Sequence, residues 1–198
     1  MIINRQLSPY LSKGGAVLVD FTHRLAITTD IPKIEELMRV SIKENMKSFL
    51  SLAEIEAAKE TMGIDLTLIQ DETYFVIETL HLGQKMMVGC GGWGKRKTLY
   101  GGVHTLGRDD SYSDPVVDAA RIRAMYTHPS WIRCGIGTLL LELSEVAARN
   151  AGFKIIELGA TIPGEPFYLA RKYKEVIRNT HMSGNGSQSI VIKMQKTL

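Results

Sequence analysis

The chain has 198 residues, which is enough for one domain with a core of its own. Its 44% apolar and 23% charged residues are typical of a globular protein, and a net charge of only +3 argues against a nucleic-acid binder. Two cysteines make no disulfide framework, and no Cys/His spacing suggests a zinc site. The apolar runs are too short for a membrane span or a convincing signal peptide. We therefore expect a metal-free cytoplasmic protein.

The first part of the chain predicts an extension followed by a strand and a helix. Residues 1–22 are interpreted as an N-terminal extension, either an ordered arm or a loose segment, and residues 23–198 as the domain. A first strand is predicted over 23–28, and a helix begins near Asp30, because a proline follows and apolar residues then recur at helical spacing. The apolar positions of this helix are Ile34, Leu37, Met38 and Ile42.

A second helix and a hairpin follow. Ser51 opens a capping box, and Gly63 is a suitable end for the helix that it starts. Residues 74–80 and 85–91 are rich in β-branched and aromatic or apolar side chains and flank a turn signal at Gly83. We therefore predict two antiparallel strands here.

Residues 92–115 are predicted to form a long irregular loop, since they are rich in Gly, Asp and Ser. Loops of this length in a domain are usually functional or disordered, and recognition concentrates on such segments. Residues that this loop offers for choosing an acceptor are Trp93, Tyr100, His104, Asp109, Asp110 and Asp114. An acidic cluster would suit a cationic amine. The basic run 95–97 is either a phosphate, acidic-substrate or nucleic-acid contact or simply a solvated turn.

The stretch from Arg121 to Leu140 reads as strand, turn, glycine loop and helix. Side chains alternate over 121–126, and Pro129 ends the strand. Gly135 and Gly137 then precede a helical apolar stripe, so the first N–H groups of the helix are bare and sit at its positive end. The segment therefore predicts a phosphate or pyrophosphate on the N–H groups of residues 133–138. It is neither a Walker A loop nor a dinucleotide fingerprint.

The remaining elements complete a β-α-β unit and a hairpin. A strand is predicted over 154–161, a short helix carries Phe167 and Tyr168, and strands at 176–181 and 189–194 flank a Gly-rich turn. The order of elements predicts an α/β (α+β) fold with a mixed, mainly antiparallel sheet flanked by helices.

Two blocks of sequence resemble the GNAT superfamily of acetyl-CoA-dependent N-acetyltransferases. The first is Tyr-Thr-His-Pro at 126–129 followed by Arg-Cys-Gly-Ile-Gly-Thr-Leu-Leu at 133–140, which is similar to the family's acetyl-CoA loop. The second is the run 155–161, then 163–168 and Tyr173, which is similar to its next strand and its tyrosine-bearing helix. The resemblance covers roughly residues 24 to 195. The chain departs from the family pattern at Ile132, Thr161 and Lys172.

The resemblance implies a splayed central strand pair and acetyl transfer by direct attack in a ternary complex. It implies acetyl-CoA or CoA as cosubstrate, without a metal, on these residues: Met125, Tyr126, Thr127, Arg133, Cys134, Gly135, Ile136, Gly137, Thr138 and Thr161. It also implies that Tyr168 is the general acid, since a phenol of pKa ~10 can protonate a thiolate of pKa ~8.5 in close contact. The alternative for Tyr168 is a packing role.

Several side chains keep two interpretations. Cys134 at a helix start is either a reactive thiol of lowered pKa or a small residue that fills the cradle. Arg133 is a phosphate partner or a surface cation, and His128 is expected to be fixed by Pro129 and not to bind a ligand. No general base is chosen from the available carboxylates, which are Glu78, Asp118, Glu157 and Glu165.

The acceptor has alternatives too. We expect the primary amine of a small molecule, and the alternative enzyme modifies a protein N-terminus or a lysine. A non-catalytic CoA-binding sensor and a nucleic-acid binder using residues 95–97 are the competing classes; the near-balanced charge disfavours the latter. The resemblance allows a homodimer, and we expect no nucleic-acid or membrane partner.

Overall fold

The computed structural model of the protein describes residues 4–12, 15–49, 51–52, 55, 63–99, 108–182 and 188–198. Eight strands form one sheet: β1 (Asn4–Ser12), β2 (Gly15–Leu25), β3 (Tyr74–His81), β4 (Gln84–Gly94), β5 (Ala120–Thr127), β6 (Ile155–Ala160), β7 (Lys174–Met182) and β8 (Gln188–Thr197). The helices are α1 (Ile31–Asn45), α2 (Leu66–Gln70), α3 (Ile136–Asn150) and α4 (Glu165–Leu169). No helix in these described ranges is long and apolar enough to cross a membrane.

The sheet has the strand order β1-β2-β3-β4-β5-β6-β8-β7, and its only parallel neighbours within the described residues are β5 and β6. That pair is joined at two positions, Ala120 opposite Ile156 and Arg121 opposite Glu157, after which the strands separate. The mixed, mainly antiparallel sheet and the splayed strand pair are thus confirmed. The splay leaves one edge of β5 open beyond Arg121.

The helices cover both faces of the sheet. Val76 and Ile77 are consecutive strand residues and so point to opposite faces. Val76 packs in the cluster of α1, and Ile77 packs in the cluster of α3. The predicted apolar stripe of α1 is confirmed, since its buried residues include Ile34, Leu37, Met38 and Ile42. Helices of 15 residues acquire most of their stability from this kind of burial.

The N-terminal region is more regular than the sequence predicted. β1 and β2 form an antiparallel hairpin that extends the sheet beyond β3. The strand predicted over 23–28 ends at Leu25, because the N–H of Ile27 donates to the carboxylate of Asp30 at 2.9 Å and the chain turns there. The expected division of the chain after residue 22 falls inside β2, and a separate extension stays a prediction.

The long loop begins later than predicted. β4 continues through Gly94, so Trp93 is a core residue that packs edge-to-face against Phe153 with ring centroids 5.8 Å apart, and its placement on the loop was wrong. A side chain at Gly92 would lie 2.1 Å from the carbonyl oxygen of Thr73.

Most of the helix predicted from Ser51, the Gly-rich turn before β8, and the loop residues Tyr100 and His104 lie outside the described residues.

Candidate functional site

A bulge bends β5 beside its open edge. Cys90 of β4 lies opposite Tyr126 and Gly92 lies opposite Arg123, so Ala124 and Met125 together face Gly91. Ala124 has a φ of 50°, and its carbonyl accepts a hydrogen bond of 2.8 Å from the Tyr74 hydroxyl. Bulges turn backbone groups away from the strand ladder and are common next to active sites. The alternation of apolar residues in the sequence gave no sign of this bulge.

The glycine at position 91 allows β4 to approach the bulge closely. A Cβ there would lie 2.9 Å from the Met125 sulfur and 3.1 Å from the Met125 Cα. Contacts below 3.0 Å force a neighbour to move. A side chain at position 91 would therefore require Met125 of the bulged strand to shift.

The three cofactor residues predicted on β5 differ in what they expose. Tyr126 is 7% exposed and packs under α1, and Met125 packs on the opposite face. The carbonyl of Thr127 accepts a hydrogen bond of 2.9 Å from Asn45 at the end of α1. Any contact of Tyr126 with a molecule at the open edge would therefore come from its backbone, whereas Met125 is only partly buried.

The glycine loop leads directly into α3. Arg133 and Gly135 have φ values of 63° and 84°, which turn the chain sharply before the helix begins. The N–H of Leu139 bonds to the carbonyl of Gly135 at 3.0 Å, so the N–H groups of 136–138 precede the first helical bond. The first turn has no acidic side chain. These N–H groups and the positive end of the helix suit an anion.

The short helix α4 packs against the first turn of α3. A Cβ at Gly137 would lie 3.3 Å from two atoms of the Phe167 ring. The Arg171 guanidinium stacks 3.9 Å above that ring, and it also donates to the Thr138 hydroxyl. A second donor of Arg171 bonds to the carbonyl of Phe167 at 3.2 Å. The sequence analysis did not select Arg171. The only signal in the sequence is that a basic residue lies just after α4.

Tyr168 lies on α4 among aromatic rings. Its ring meets those of Phe167 and Tyr173 edge-on, at centroid distances of 5.0 and 5.7 Å. Desolvation by burial raises the pKa of Tyr168 to about 12, so the hydroxyl keeps its proton at neutral pH. The Tyr168 ring and Met125 both pack against the buried cluster that includes Ile122 of β5, so α4 places the phenol beside that strand.

Thr161 follows β6 and shapes the turn into α4. Its carbonyl accepts the N–H groups of Gly164 and Glu165, both at 3.0 Å. Its hydroxyl would lie 3.3 Å from a Cβ at Gly164. Thr161 thus fixes the start of the helix that carries Tyr168.

The other loop residues that the sequence analysis singled out are Cys134, Arg133 and His128. Cys134 is 3% exposed and bonds to the carbonyl of Ile132 at 3.4 Å. Burial raises the pKa of Cys134, which speaks against the interpretation as a reactive thiol of lowered pKa. The Arg133 side chain is exposed. The His128 ring accepts the N–H of Ser130 at 3.2 Å and caps a short 3-10 turn, and burial lowers its pKa.

Comparison with known proteins identifies the family. The model of the acetyltransferase (GNAT) family matches residues 43–169. The chain belongs to the GNAT acetyltransferase family. The family transfers acetyl groups from acetyl-CoA, and the resemblance noted in the sequence is confirmed. No curated protein gives a significant sequence match.

Solved structures of GNAT proteins share the fold. A GCN5-related N-acetyltransferase from Rhodopseudomonas palustris is 19% identical with a TM-score of 0.62, and the match covers 100% of this chain and 99% of that one. The PaiA N-acetyltransferase from Thermoplasma acidophilum in complex with coenzyme A is 15% identical with a TM-score of 0.57, over 90% and 99% of the two chains. The mosquito arylalkylamine N-acetyltransferase-like 5b is 12% identical with a TM-score of 0.58, over 90% and 100%.

The described residues of this GNAT protein fit a CoA molecule. The open edge of β5 offers backbone groups to an extended arm, and the bare N–H groups of α3 suit a pyrophosphate. Gly137 lets α3 and the Phe167 ring approach closely. No group of three His, Cys, Asp or Glu side chains placed to hold a metal is found in the described part of the chain.

Each candidate base of this GNAT domain is engaged by a neighbour. Glu78 pairs with Arg24 and Lys85, and Glu157 pairs with Arg121 and Lys193. Two further contacts complete the set: Glu165 with Arg178, and Asp118 with the N–H of Asp114. All four carboxylates therefore have structural roles, and the geometry favours none of them as the base.

The acids of the long loop are also engaged by the loop itself. Asp110 pairs with Arg108 at 2.7 Å, and Asp109 accepts from the N–H and hydroxyl of Ser111. Arg96 of the basic run pairs with Asp71 at 2.7 Å and stacks 4.7 Å from the Tyr112 ring. The geometry thus assigns these charges to holding the loop, so they do not support the hypothesis of an acidic amine-binding cluster.

Proposed function

We propose that this GNAT protein transfers an acetyl group from acetyl-CoA to the primary amine of a small molecule, by direct attack in a ternary complex. The observation that carries the proposal is the separation of β5 from β6 after two paired positions, beside the bare N-terminal turn of α3. One cleft would then hold both reactants. Holding two reactants in one geometry supplies much of the rate of such a transfer.

The cofactor would lie along the glycine loop and the bulged strand. Its pyrophosphate would take the N–H groups of residues 133–138, with Cys134, Gly135 and Ile136 contributing backbone only. Its arm would follow Met125, Tyr126 and Thr127, and Thr161 would border it from β6. The bound thioester supplies the acetyl group and a thiolate as leaving group. Backbone N–H groups at the Ala124 bulge that point at the acetyl oxygen would stabilise its developing charge.

Tyr168 would act as the general acid. Its hydroxyl remains protonated because burial raises the pKa to about 12. A thiol has a pKa of ~8.5 in water, which is lower than that of the phenol, so proton transfer from the Tyr168 hydroxyl to the thiolate is unfavourable. The hydroxyl must therefore contact the sulfur directly. Desolvation of the thiolate in the same cleft raises the pKa of the thiol as well, which reduces the difference between the pKa values of the thiol and the phenol. We assign no side chain as base, because the four candidates are all engaged.

A small acceptor is favoured by the way the long loop is held. Arg96 pairs with Asp71 next to α2, and Arg108 pairs with Asp65, which caps that helix. If this loop borders the acceptor, a loop held at two points would limit the space beside the cofactor, which suits a small molecule better than a peptide. The cytoplasmic location and a homodimeric state stay predictions.

The proposal is tested by ligand-dependent melting followed by an amine screen. Ligands that bind only the native state raise the melting temperature by mass action. We expect CoA and acetyl-CoA to raise it and ATP to leave it unchanged, and we expect a small primary amine to release free thiol from acetyl-CoA. Initial rates varied in both substrates should give intersecting lines.

Three results would contradict the proposal. Parallel lines would indicate a covalent acetyl-enzyme in place of direct attack. Acetylation of peptides but of no small amine would favour the protein-modifying alternative. Binding of CoA without turnover of any amine would favour a sensor.

A further inference from the structure

Arg171 differs from the other arginines that the structure describes. Those that are buried or half-buried each pair with a carboxylate: Arg24, Arg96, Arg108, Arg121 and Arg123. Arg171 is half-buried as well, but no carboxylate within the described ranges pairs with it. Its Nε is buried and has no hydrogen-bond partner among those residues, which is also true of the Nε of Arg121, but the guanidinium of Arg121 pairs with Glu157. A half-buried cation without a counter-charge is less stable than a paired one, and an anionic ligand would supply the missing charge.

The guanidinium of Arg171 also lies at the N-terminal end of a helix, where a cation is unfavourable. It donates to the hydroxyl of Thr138, which lies in the first turn of α3. The N-terminus of a helix carries partial positive charge, so a cation there is repelled unless an anion lies between them. That turn has no acidic side chain of its own. The arrangement therefore lacks one negative charge.

The side chain is held in place without that anion. Its plane stacks 3.9 Å over the Phe167 ring, and one donor is fixed on the carbonyl of Phe167 at 3.2 Å. Stacking fixes the plane of the guanidinium, so its donors have a set direction. Each terminal nitrogen uses one N–H on Phe167 or Thr138 and has a second one, and these two N–H groups match two oxygens of a phosphate.

We propose that Arg171 binds the pyrophosphate of CoA together with the N–H groups of the first turn of α3. The inference rests on the proposed function, because it deepens the same cofactor site. Arg171 contacts the hydroxyl of Thr138, whose own N–H belongs to the anion-binding turn, so a single phosphate reaches both. The pyrophosphate is assigned in preference to the 3′-phosphate because that turn is the predicted pyrophosphate cradle.

Calorimetric titration of the full chain with CoA and with dephospho-CoA, which lacks the 3′-phosphate, tests the assignment. Charge-assisted hydrogen bonds to a phosphate are strong enough that Arg171→Gln should weaken both ligands by roughly 10- to 100-fold. The affinity of the variant should also depend less on salt than that of the unmodified protein. The melting temperature without ligand should not fall, since the variant removes an uncompensated cation.

Arg149→Gln is the matched control. It removes the same charge from the opposite end of α3, where the side chain is exposed. We expect it to leave both affinities unchanged. Arg171→Lys retains the charge but loses the planar fork, and we expect a smaller, several-fold loss for both ligands. This second variant keeps the test decisive if Arg171→Gln does not fold.

The outcomes separate the inference from the function on which it rests. The inference would be overturned if Arg171→Gln bound both ligands as tightly as the unmodified protein does. If only Arg171→Lys folds, equal affinities in that variant would overturn it. In either case the protein would still bind CoA. A loss for CoA but not for dephospho-CoA would overturn the pyrophosphate assignment and place Arg171 on the 3′-phosphate. Failure of the unmodified protein to bind either ligand would overturn the proposed function itself.

Discussion

The arginines packed at the long loop and the arginine beside the glycine loop are all buried or half-buried, but their electrostatic settings differ. At the long loop, Arg123 and Arg108 converge on the carboxylate of Asp65 at 2.8 and 3.2 Å, and Arg96 pairs with Asp71. Beside the glycine loop, Arg171 faces a hydroxyl, a carbonyl and an aromatic ring. In the first region each of these arginines has a carboxylate partner, whereas in the second the arginine has none among the described residues.

The difference teaches how to separate structural charges from functional ones in this fold. Compensated charges connect elements distant in sequence, as Asp65 and Arg123 do across 58 positions. They should therefore affect stability when broken. An uncompensated charge beside a helix N-terminus should affect ligand affinity instead.

The largest expected effect is on stability, at Asp65. Its side chain is 1% exposed and holds two arginines as well as the N–H of Thr67. Asp65→Asn leaves Arg123 buried without its counter-charge, and breaking such a pair costs about 3–5 kcal/mol in free energy of unfolding. Urea unfolding measures the loss. A change below about 1 kcal/mol, the size of an exposed pair, would contradict the comparison.

The next effect is on turnover, at Tyr168. Removing a general acid typically costs roughly 10²- to 10⁴-fold in rate, so Tyr168→Phe should lower kcat by that order and leave the affinity for CoA unchanged. Free-thiol release under saturating substrates measures kcat. Tyr173→Phe is a matched control, because its hydroxyl bonds to Glu145 at 3.0 Å and should affect stability more than kcat. Unchanged kcat in Tyr168→Phe would favour the packing role.

Alkaline pH should lower the stability of the whole molecule. Burial raises the pKa of Cys90 and of Tyr168 to about 12, and raises those of Tyr74, Tyr126 and Tyr173 too. The unfolded chain loses these protons from about pH 9 upward while the folded chain keeps them, so unfolding becomes more favourable as pH rises. The urea midpoint should fall from about pH 9. A constant midpoint to pH 11 would contradict the burial of these groups.

The smallest effect is expected at an exposed ion pair. Glu36 and Arg39 approach to 2.6 Å on the surface of α1, but both side chains are more than half exposed. Glu36→Gln should change the free energy of unfolding far less than Asp65→Asn does, because water screens such pairs. A loss as large as that of Asp65→Asn would show that distance alone, and not burial, determines the energy.

Local patterns in the sequence predicted the elements that depend on neighbouring residues. The apolar stripes of α1 and α3 follow from helical periodicity, and the turn at Leu82 and Gly83 has the positive φ values that a two-residue hairpin needs. The glycine loop was recognisable because its glycines and the helix stripe are adjacent. The family resemblance, rather than any pattern, supplied the splay between β5 and β6.

Features that depend on distant residues were not predictable in the same way. Trp93 remains in β4 because it packs on Phe153, 60 positions later, and no local signal marks that contact. The bulge at Ala124 depends on the approach of Gly91 from the neighbouring strand. Arg171 becomes a site residue only because α4 packs against the first turn of α3.

The most direct test of the central claim is calorimetric titration of the unmodified protein with CoA. The account predicts saturable binding that weakens as salt rises, because the pyrophosphate meets a helix N-terminus and a guanidinium. It also predicts that the addition of acetyl-CoA and a small primary amine releases thiol. Absence of CoA binding at low salt would contradict the claim that the open edge of β5 and the first turn of α3 form a working cofactor site.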